Sequence, residues 1–200
     1  MKKLLLVLAL VLSVVVVNAQ NKKTGFEIAG SVHYGSFEGD HVSDIYSNYG
    51  AFDLSFIFDT KMDWLSAGFF IKQIKANGEP MRYEGDGNGL DYVGRDGDCD
   101  LEMFSWGPEA NINISEVFRG YVRYGFLKIK ESGQTSMGGV ETGDIKGRSF
   151  DLGLKYYFPV GNKGFNLFGK AGYSFVSLND IDMDGELNSW DIGVGACFKF

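Results

Sequence analysis

Beyond residue 20, the chain is dominated by short segments in which apolar and polar residues alternate. The last segment is the clearest, because one face is aromatic and aliphatic and the other is small or charged. The first face comprises Trp190, Ile192, Val194, Ala196, Phe198 and Phe200, and the second Asp191, Gly193, Gly195, Cys197 and Lys199. Alternation with a period of two residues predicts a β-strand with one apolar face.

Seven further segments complete a set of eight predicted strands. Residues 52–59, 118–126, 150–158 and 165–175 alternate as clearly as the last segment. In residues 25–37, 64–75 and 100–114 the alternation is blurred by glycine, by a proline or by apolar residues on both faces.

The connections between these strands alternate in length. Long connections span residues 38–49, 76–98, 130–147 and 178–187, and short ones span residues 60–63, 115–116 and 159–164. Outer-membrane barrels have long extracellular loops, short periplasmic turns and an even number of strands. The pattern therefore predicts an all-β fold, an eight-stranded antiparallel up-and-down transmembrane β-barrel with both termini in the periplasm. A hairpin hidden in residues 79–94 would leave a ten-stranded or a soluble alternative open.

The N-terminus has the features of a Sec-type signal peptide. Lys2 and Lys3 precede an apolar run over residues 4–17, and Ala19 ends a small-residue cleavage site. The run is shorter than the about 20 residues that a spanning helix needs. We expect residues 1–19 to be removed and residues 20–200 to form one domain in the outer membrane of a Gram-negative-type cell envelope.

The net charge and the two cysteines bear on the binding partners and on disulfide formation. The formal charge is −7, and loss of Lys2 and Lys3 with the signal peptide would take it to −9, which disfavours nucleic acid. Cys99 and Cys197 are predicted to lie at opposite ends of the barrel, because their strands run in the same direction. That separation exceeds the roughly 7 Å between Cα atoms that a disulfide allows, so we expect two thiols.

The polar face of each strand should point into the barrel, where eight strands leave room only for side chains. Buried charges are costly unless they are paired, so an equal number of acids and bases favours a lumen closed by ion pairs. The inward acids would be Glu27, Asp53, Asp59, Glu109, Asp151 and Asp191, and the inward bases Lys72, Arg119, Arg123, Lys155, Lys170 and Lys199.

Residues 20–200 resemble the small outer-membrane β-barrel superfamily that includes the OmpA transmembrane domain and OmpX-like proteins. The resemblance rests on the terminal alternation ending in Phe200 and on aromatic residues at strand ends, as in the two interfacial girdles of such barrels. It implies contact with outer-membrane lipid and lipopolysaccharide, and recognition of the strand ending in Phe200 by the barrel-assembly machinery. It does not imply an activity, because one fold can carry many functions.

One loop contains a candidate calcium site. Its spacing, D-x-D-x-D-G with a carboxylate at position 12, resembles the calcium loop of EF-hands and of dockerin repeats, although no helices flank it. The candidate ligands are Asp180, Asp182, Asp184, Glu186, Asn188 and Asp191. Glycine and aspartate are also ordinary turn residues, so an acidic solvated loop is the alternative. No other cofactor is predicted.

Ser31 and His33 lie on the same face of the first predicted strand, with Glu27 nearby. Outer-membrane lipid A deacylases use a histidine and a serine two residues apart, but in the reverse order. Because the face is predicted to be luminal, we assign no catalytic residue and expect a non-enzymatic protein. A structural or surface-interaction role is favoured, and the alternatives are a porin-like narrow pore for small solutes and, last, a lipid-modifying enzyme.

Overall fold

The computed structural model describes residues 25–39, 45–46, 48–78, 81–85, 90–95, 98–135, 138–141, 144–159, 164–179 and 187–200. Eight long strands form its main sheet. They are β1 (Phe26–Phe37), β2 (Tyr49–Asp59), β3 (Leu65–Gly78), β6 (Asp98–Asn113), β7 (Phe118–Thr135), β9 (Ile145–Pro159), β10 (Phe165–Leu178) and β11 (Ser189–Lys199).

These strands close into a barrel. Their order around the sheet is β6-β3-β2-β1-β11-β10-β9-β7, and pairing of β6 with β7 joins the two ends. Every neighbouring pair is antiparallel, including the first and last strands, where Gly30 faces Ala196. The predicted eight-stranded antiparallel barrel is therefore confirmed.

Among the described residues, three short strands lie outside this ring. Strands β4 (Met81–Gly85) and β5 (Leu90–Arg95) pair with each other in a separate two-stranded sheet. The segment 79–94 thus contains a hairpin, but the hairpin does not enter the barrel, which keeps eight strands. Strand β8 (Gly138–Glu141) pairs with the end of β7.

Several strands extend further toward the long loops than the sequence pattern predicted. Strand β7 continues to Thr135, whereas the prediction ended at residue 126. After Phe126 the alternation persists, but the residue types on the two faces change. Leu127 and Ile129 are buried, while Lys128 and Lys130 are exposed. The period of two therefore continues with an apolar inner face and a charged outer face.

The outer wall is apolar over most of its height. Large hydrophobic side chains are exposed on seven of the eight barrel strands, including Val32, Phe52, Phe104 and Val194, the last at 65 % exposure, and the outward Phe69 and Ile71 of β3 are half-buried. In water such a continuous apolar surface would be unfavourable, whereas hydrocarbon chains match it. The described part of the chain contains no helix with the length and hydropathy of a membrane span.

Side-chain hydrogen bonds and a glycine stabilise the short turns. The Thr60 hydroxyl accepts a hydrogen bond from the Met62 amide at 3.1 Å, and the Ser115 hydroxyl accepts one from the Phe118 amide at 3.1 Å. Gly164 precedes β10 with a φ of 100°, a conformation that glycine adopts without steric cost. These residues lie where the chain reverses between strands, and the start of β1 and Phe200 lie at the same end of the barrel as these turns.

The two cysteines occupy opposite ends of the interior, as predicted. Cys99 is buried among apolar residues near the long loops, and Cys197 packs with Ala29, Tyr157 and Phe168 near the short turns. Neither forms a disulfide.

Close packing inside the barrel depends on glycine at positions that face Tyr121. A Cβ atom added to Gly172 would lie 2.0 Å from the Tyr121 hydroxyl, and one added to Gly153 would lie 2.6 Å from it. The Tyr121 ring is itself held among cations, with Lys170 Nζ 4.7 Å and the Arg123 guanidinium 5.0 Å from its centroid. The ring therefore has little room to move away from a new side chain.

We predict that Gly172→Ala destabilises the barrel by about 1–3 kcal/mol, the usual cost of overpacking a core. The matched control is Gly50→Ala on the outer wall, where an added Cβ meets nothing within 4 Å. Denaturant unfolding of the protein in lipid vesicles, followed by tryptophan fluorescence, measures both. Equal unfolding midpoints for the two variants would contradict the packing argument.

Candidate functional site: the barrel lumen

A buried arginine is the centre of the lumen. Arg123 donates through Nη1 to Asp53 Oδ2 at 2.8 Å, through Nε to Glu109 Oε2 at 2.9 Å, and through Nη2 to the Ser55 hydroxyl at 2.8 Å. Its guanidinium also lies 4.7 Å from the centroid of the Phe70 ring. The planar guanidinium group can donate to several acceptors at once. One side chain therefore joins β2, β6 and β7.

Two lysines extend this centre to neighbouring strands. Lys155 Nζ lies 2.8 Å from Glu109 Oε1, the second oxygen of the carboxylate that Arg123 binds. Lys170 forms an ion pair with Asp53 Oδ2. Asp53 and Glu109 each therefore contact two buried cations, which offsets much of the free-energy cost of removing these charges from water.

On the other side of Asp53, a histidine continues the chain of contacts. His33 Nε2 lies 3.1 Å from Asp53 Oδ2, and His33 Nδ1 lies 3.2 Å from Asp191 Oδ1. The other oxygen of Asp191 accepts a hydrogen bond from Lys72 Nζ at 2.6 Å. Lys72, Asp191 and His33 thereby join β3, β11 and β1 to the same set of contacts.

Each of the eight barrel strands contributes one charged or titratable side chain to this connected set, which we call the lumen network. Its members, in strand order from β1 to β11, are His33, Asp53, Lys72, Glu109, Arg123, Lys155, Lys170 and Asp191. All eight are buried. A fourth acid, Asp151, is buried beside the network, and its Oδ1 atom has no hydrogen-bond partner among the described residues.

Apart from Asp151, the predicted inward charges that lie outside this network occupy the end near the short turns. Arg119 binds both oxygens of Glu27, at 3.1 and 3.0 Å, and the Tyr157 hydroxyl donates to Glu27 Oε1 at 3.2 Å. At the rim, Lys199 Nζ lies 2.6 Å from Asp59 Oδ2, where both side chains are partly exposed. All twelve predicted inward charges thus lie in the lumen or at its rim.

The opposite end of the lumen is apolar, which the sequence interpretation missed. We call this cluster the apolar cap. It comprises Phe37, Tyr46, Tyr49, Ala51, Ile74, Ala76, Cys99, Leu101, Met103, Leu127, Ile129, Val176, Leu178 and Leu187. The available signal was the presence of apolar residues on both faces of the blurred strands, which indicated apolar packing on the inner as well as the outer side.

Side chains from the long connections complete the cap. Tyr46, between β1 and β2, is buried, and its hydroxyl donates to Glu131 Oε1 at 2.7 Å. Burial raises the pKa of Tyr46 above its ordinary value, so the phenol remains neutral. Leu187, just before β11, packs in the same cluster. On the side of the long loops, the charged layer at mid-height is therefore covered by an apolar layer.

Ser31, His33 and Asp191 follow the order of a hydrolytic triad, with Ser31 Oγ 2.8 Å from His33 Nε2. Their other contacts do not suit that chemistry. The Ser31 hydroxyl donates to Asp53 Oδ1 at 2.8 Å, and both ring nitrogens of His33 face carboxylates. A hydroxyl has one proton, and Ser31 donates it to Asp53, so His33 does not accept it as the base of a hydrolytic triad would. Glu27, the acid predicted to accompany them, binds Arg119 instead.

The candidate calcium ligands are only partly within the described residues. Asp180, Asp182, Asp184 and Glu186 lie outside them. Asn188 Oδ1 accepts a hydrogen bond from the Val176 amide at 2.8 Å, and Asp191 belongs to the lumen network. Any Ca²⁺ site in this loop would therefore depend on the four acids from 180 to 186. Within the described residues, no group of three or more His, Cys, Asp or Glu side chains could hold a metal ion.

A closed antiparallel barrel with an apolar outer wall and a charged interior defines an outer-membrane β-barrel protein. The family model described as "Outer membrane protein beta-barrel domain" matches residues 4–200. The chain belongs to this family, and its location is the outer membrane.

The barrel is similar to several solved structures. The barrel is similar to Ail, the attachment invasion locus protein of Yersinia pestis, with 13 % identity, a TM-score of 0.51, and coverage of 88 % of this chain and 97 % of that one. It is also similar to OprG of Pseudomonas aeruginosa, with 13 % identity, a TM-score of 0.49 and coverage of 88 % and 95 %. No curated protein sequence matches the chain.

We predict that Arg123→Gln destabilises the barrel by about 3–5 kcal/mol, because it leaves Asp53 and Glu109 without a shared buried partner. The control is Lys75→Gln, which removes a lysine whose ion pair with Glu102 lies on the exposed outer wall and should leave the midpoint unchanged. Denaturant unfolding in vesicles measures both variants. A midpoint for Arg123→Gln that matches the control would show that the lumen network does not stabilise the barrel.

Proposed function

We propose that this protein is a closed outer-membrane barrel with a structural or surface-interaction role, and that it neither conducts solutes nor catalyses a reaction. The single observation that carries the proposal is the filled lumen. The lumen network crosses the barrel at mid-height, and the apolar cap covers it on the side of the long loops. A solute would have to separate buried ion pairs and displace packed apolar side chains.

The same interior argues for a non-enzymatic role. The polar groups that could take part in catalysis are buried and bonded to one another, with His33 and Ser31 both at 6 % exposure or less. A substrate in the membrane or in water would have no contact with them. The functional surfaces of the protein are then the outer wall, which contacts lipid and lipopolysaccharide, and the long loops.

We further propose that the barrel-assembly machinery recognises the C-terminal strand. Phe200 is exposed, its amide donates to the Phe26 carbonyl at 2.8 Å, and its ring stacks on Phe26 with centroids 5.7 Å apart. The terminal aromatic residue therefore lies at the seam between the first and last strands, where the barrel closes. Loss of Phe200 would then lower the amount of barrel that reaches the outer membrane.

The closed lumen predicts that the purified protein forms no discrete, reproducible conductance steps in planar lipid bilayers. An open-pore outer-membrane protein purified and inserted in the same way serves as the positive control. Regular steps of constant size from several independent preparations would refute the proposal, since they require a continuous aqueous path through the network and the cap.

A further inference from the structure

The outer wall changes from apolar to positively charged side chains beyond the aromatic residues of β7 and β9, on the side of the long loops. Up to Phe126 and Phe150 the outward side chains are apolar or aromatic, and Trp106 lies beside Phe126 with ring centroids 5.0 Å apart. The next outward positions toward the long loops are Lys128 on β7 and Arg148 and Lys146 on β9, all exposed. Aromatic residues at strand ends mark the level of lipid headgroups.

We call Lys128, Lys146 and Arg148 the basic patch. Lys128 and Lys146 face each other directly across the β7–β9 pair, and Arg148 faces Phe126 one step nearer the membrane. Like charges in directly opposed positions of a sheet destabilise it. This pair of like charges lies on the exposed wall of a protein whose formal charge is −7.

Neutralisation of the patch by the described residues is incomplete. Asp144 Oδ2 lies 2.7 Å from Lys128 Nζ, and this hydrogen bond lowers the pKa of Asp144, which is therefore ionised. On β6, Glu102 is engaged by Lys75. Neither Lys146 nor Arg148 forms an ion pair with a residue that the structure describes.

We propose that the basic patch binds the phosphate groups of a phosphorylated outer-leaflet lipid whose acyl chains lie against the apolar wall below it. An arginine and a lysine provide charge-assisted hydrogen bonds to phosphate oxygens. An anionic group between Lys128 and Lys146 would also relieve their repulsion. The adjoining aromatic wall selects a ligand that combines phosphate with hydrocarbon, because a free anion would gain nothing from that surface.

This site deepens the proposed contact with outer-membrane lipid, and it does not depend on the closed lumen. If the protein forms no conductance steps and shows no preference among the lipids, the proposed site is wrong and the closed barrel is still supported. Conductance steps with intact lipid selectivity would do the reverse.

The test measures binding of diphosphoryl lipid A, monophosphoryl lipid A and inorganic phosphate to the purified protein in uncharged detergent micelles. The double variant is Lys146→Gln with Arg148→Gln. The matched control is Lys75→Gln with Glu102→Gln, which removes a neutral exposed pair from the same wall. All substituted side chains are exposed, and heat-modifiable gel mobility verifies that each variant is folded.

We expect the wild-type protein and the control to bind diphosphoryl lipid A more tightly than the monophosphoryl form. The double variant should lose about 30-fold in affinity for the diphosphoryl lipid, as each basic group near an anionic surface contributes about 1 kcal/mol. The charge-reversed variant Lys146→Glu with Arg148→Glu should lose more. Equal losses in variant and control, or inorganic phosphate binding as tightly as the lipid, would overturn the proposal.

Discussion

The pairing of Arg123 with Asp53 and Glu109 is the interaction on which the rest of the barrel depends. Eight strands enclose a space too narrow for bulk water, so each inward charge must find its partner on another strand. Arg123 satisfies two carboxylates at once, and those carboxylates in turn bind Lys155 and Lys170. The contacts continue through His33 to Asp191 and Lys72, until every strand of the barrel is included.

This network also specifies the register of the strands. A shift of one residue in any strand would turn its charged member toward lipid and bring a large apolar side chain inside. Glycines that face the lumen provide the remaining space. Gly153 and Gly172 leave room for Tyr121, whose ring lies against Arg123 and Lys170. Charge pairing and close packing therefore favour the same arrangement of the eight strands.

The two surfaces of the wall change polarity together near the long loops. Inside, charged residues give way to the apolar cap; outside, aromatic residues give way to the basic patch. Because alternation persists through β7, one strand changes both surfaces within a few residues, with Leu127 and Ile129 inside and Lys128 outside. The barrel thus closes its interior at the same level at which its exterior leaves the hydrocarbon region.

The sequence by itself predicted an eight-stranded antiparallel barrel, with a ten-stranded or a soluble alternative left open, and it predicted the set of inward charges. Alternation and loop length depend on local sequence, so residues such as Asp53 and Arg123 could be assigned to the lumen without coordinates. Only the tertiary structure decided which charges pair, because those pairs join positions as distant along the chain as Asp53 and Lys170. It alone brought Tyr46 and Leu187 from separate loops into one cap, and it placed Asp191, a candidate calcium ligand, beside Lys72 in the lumen.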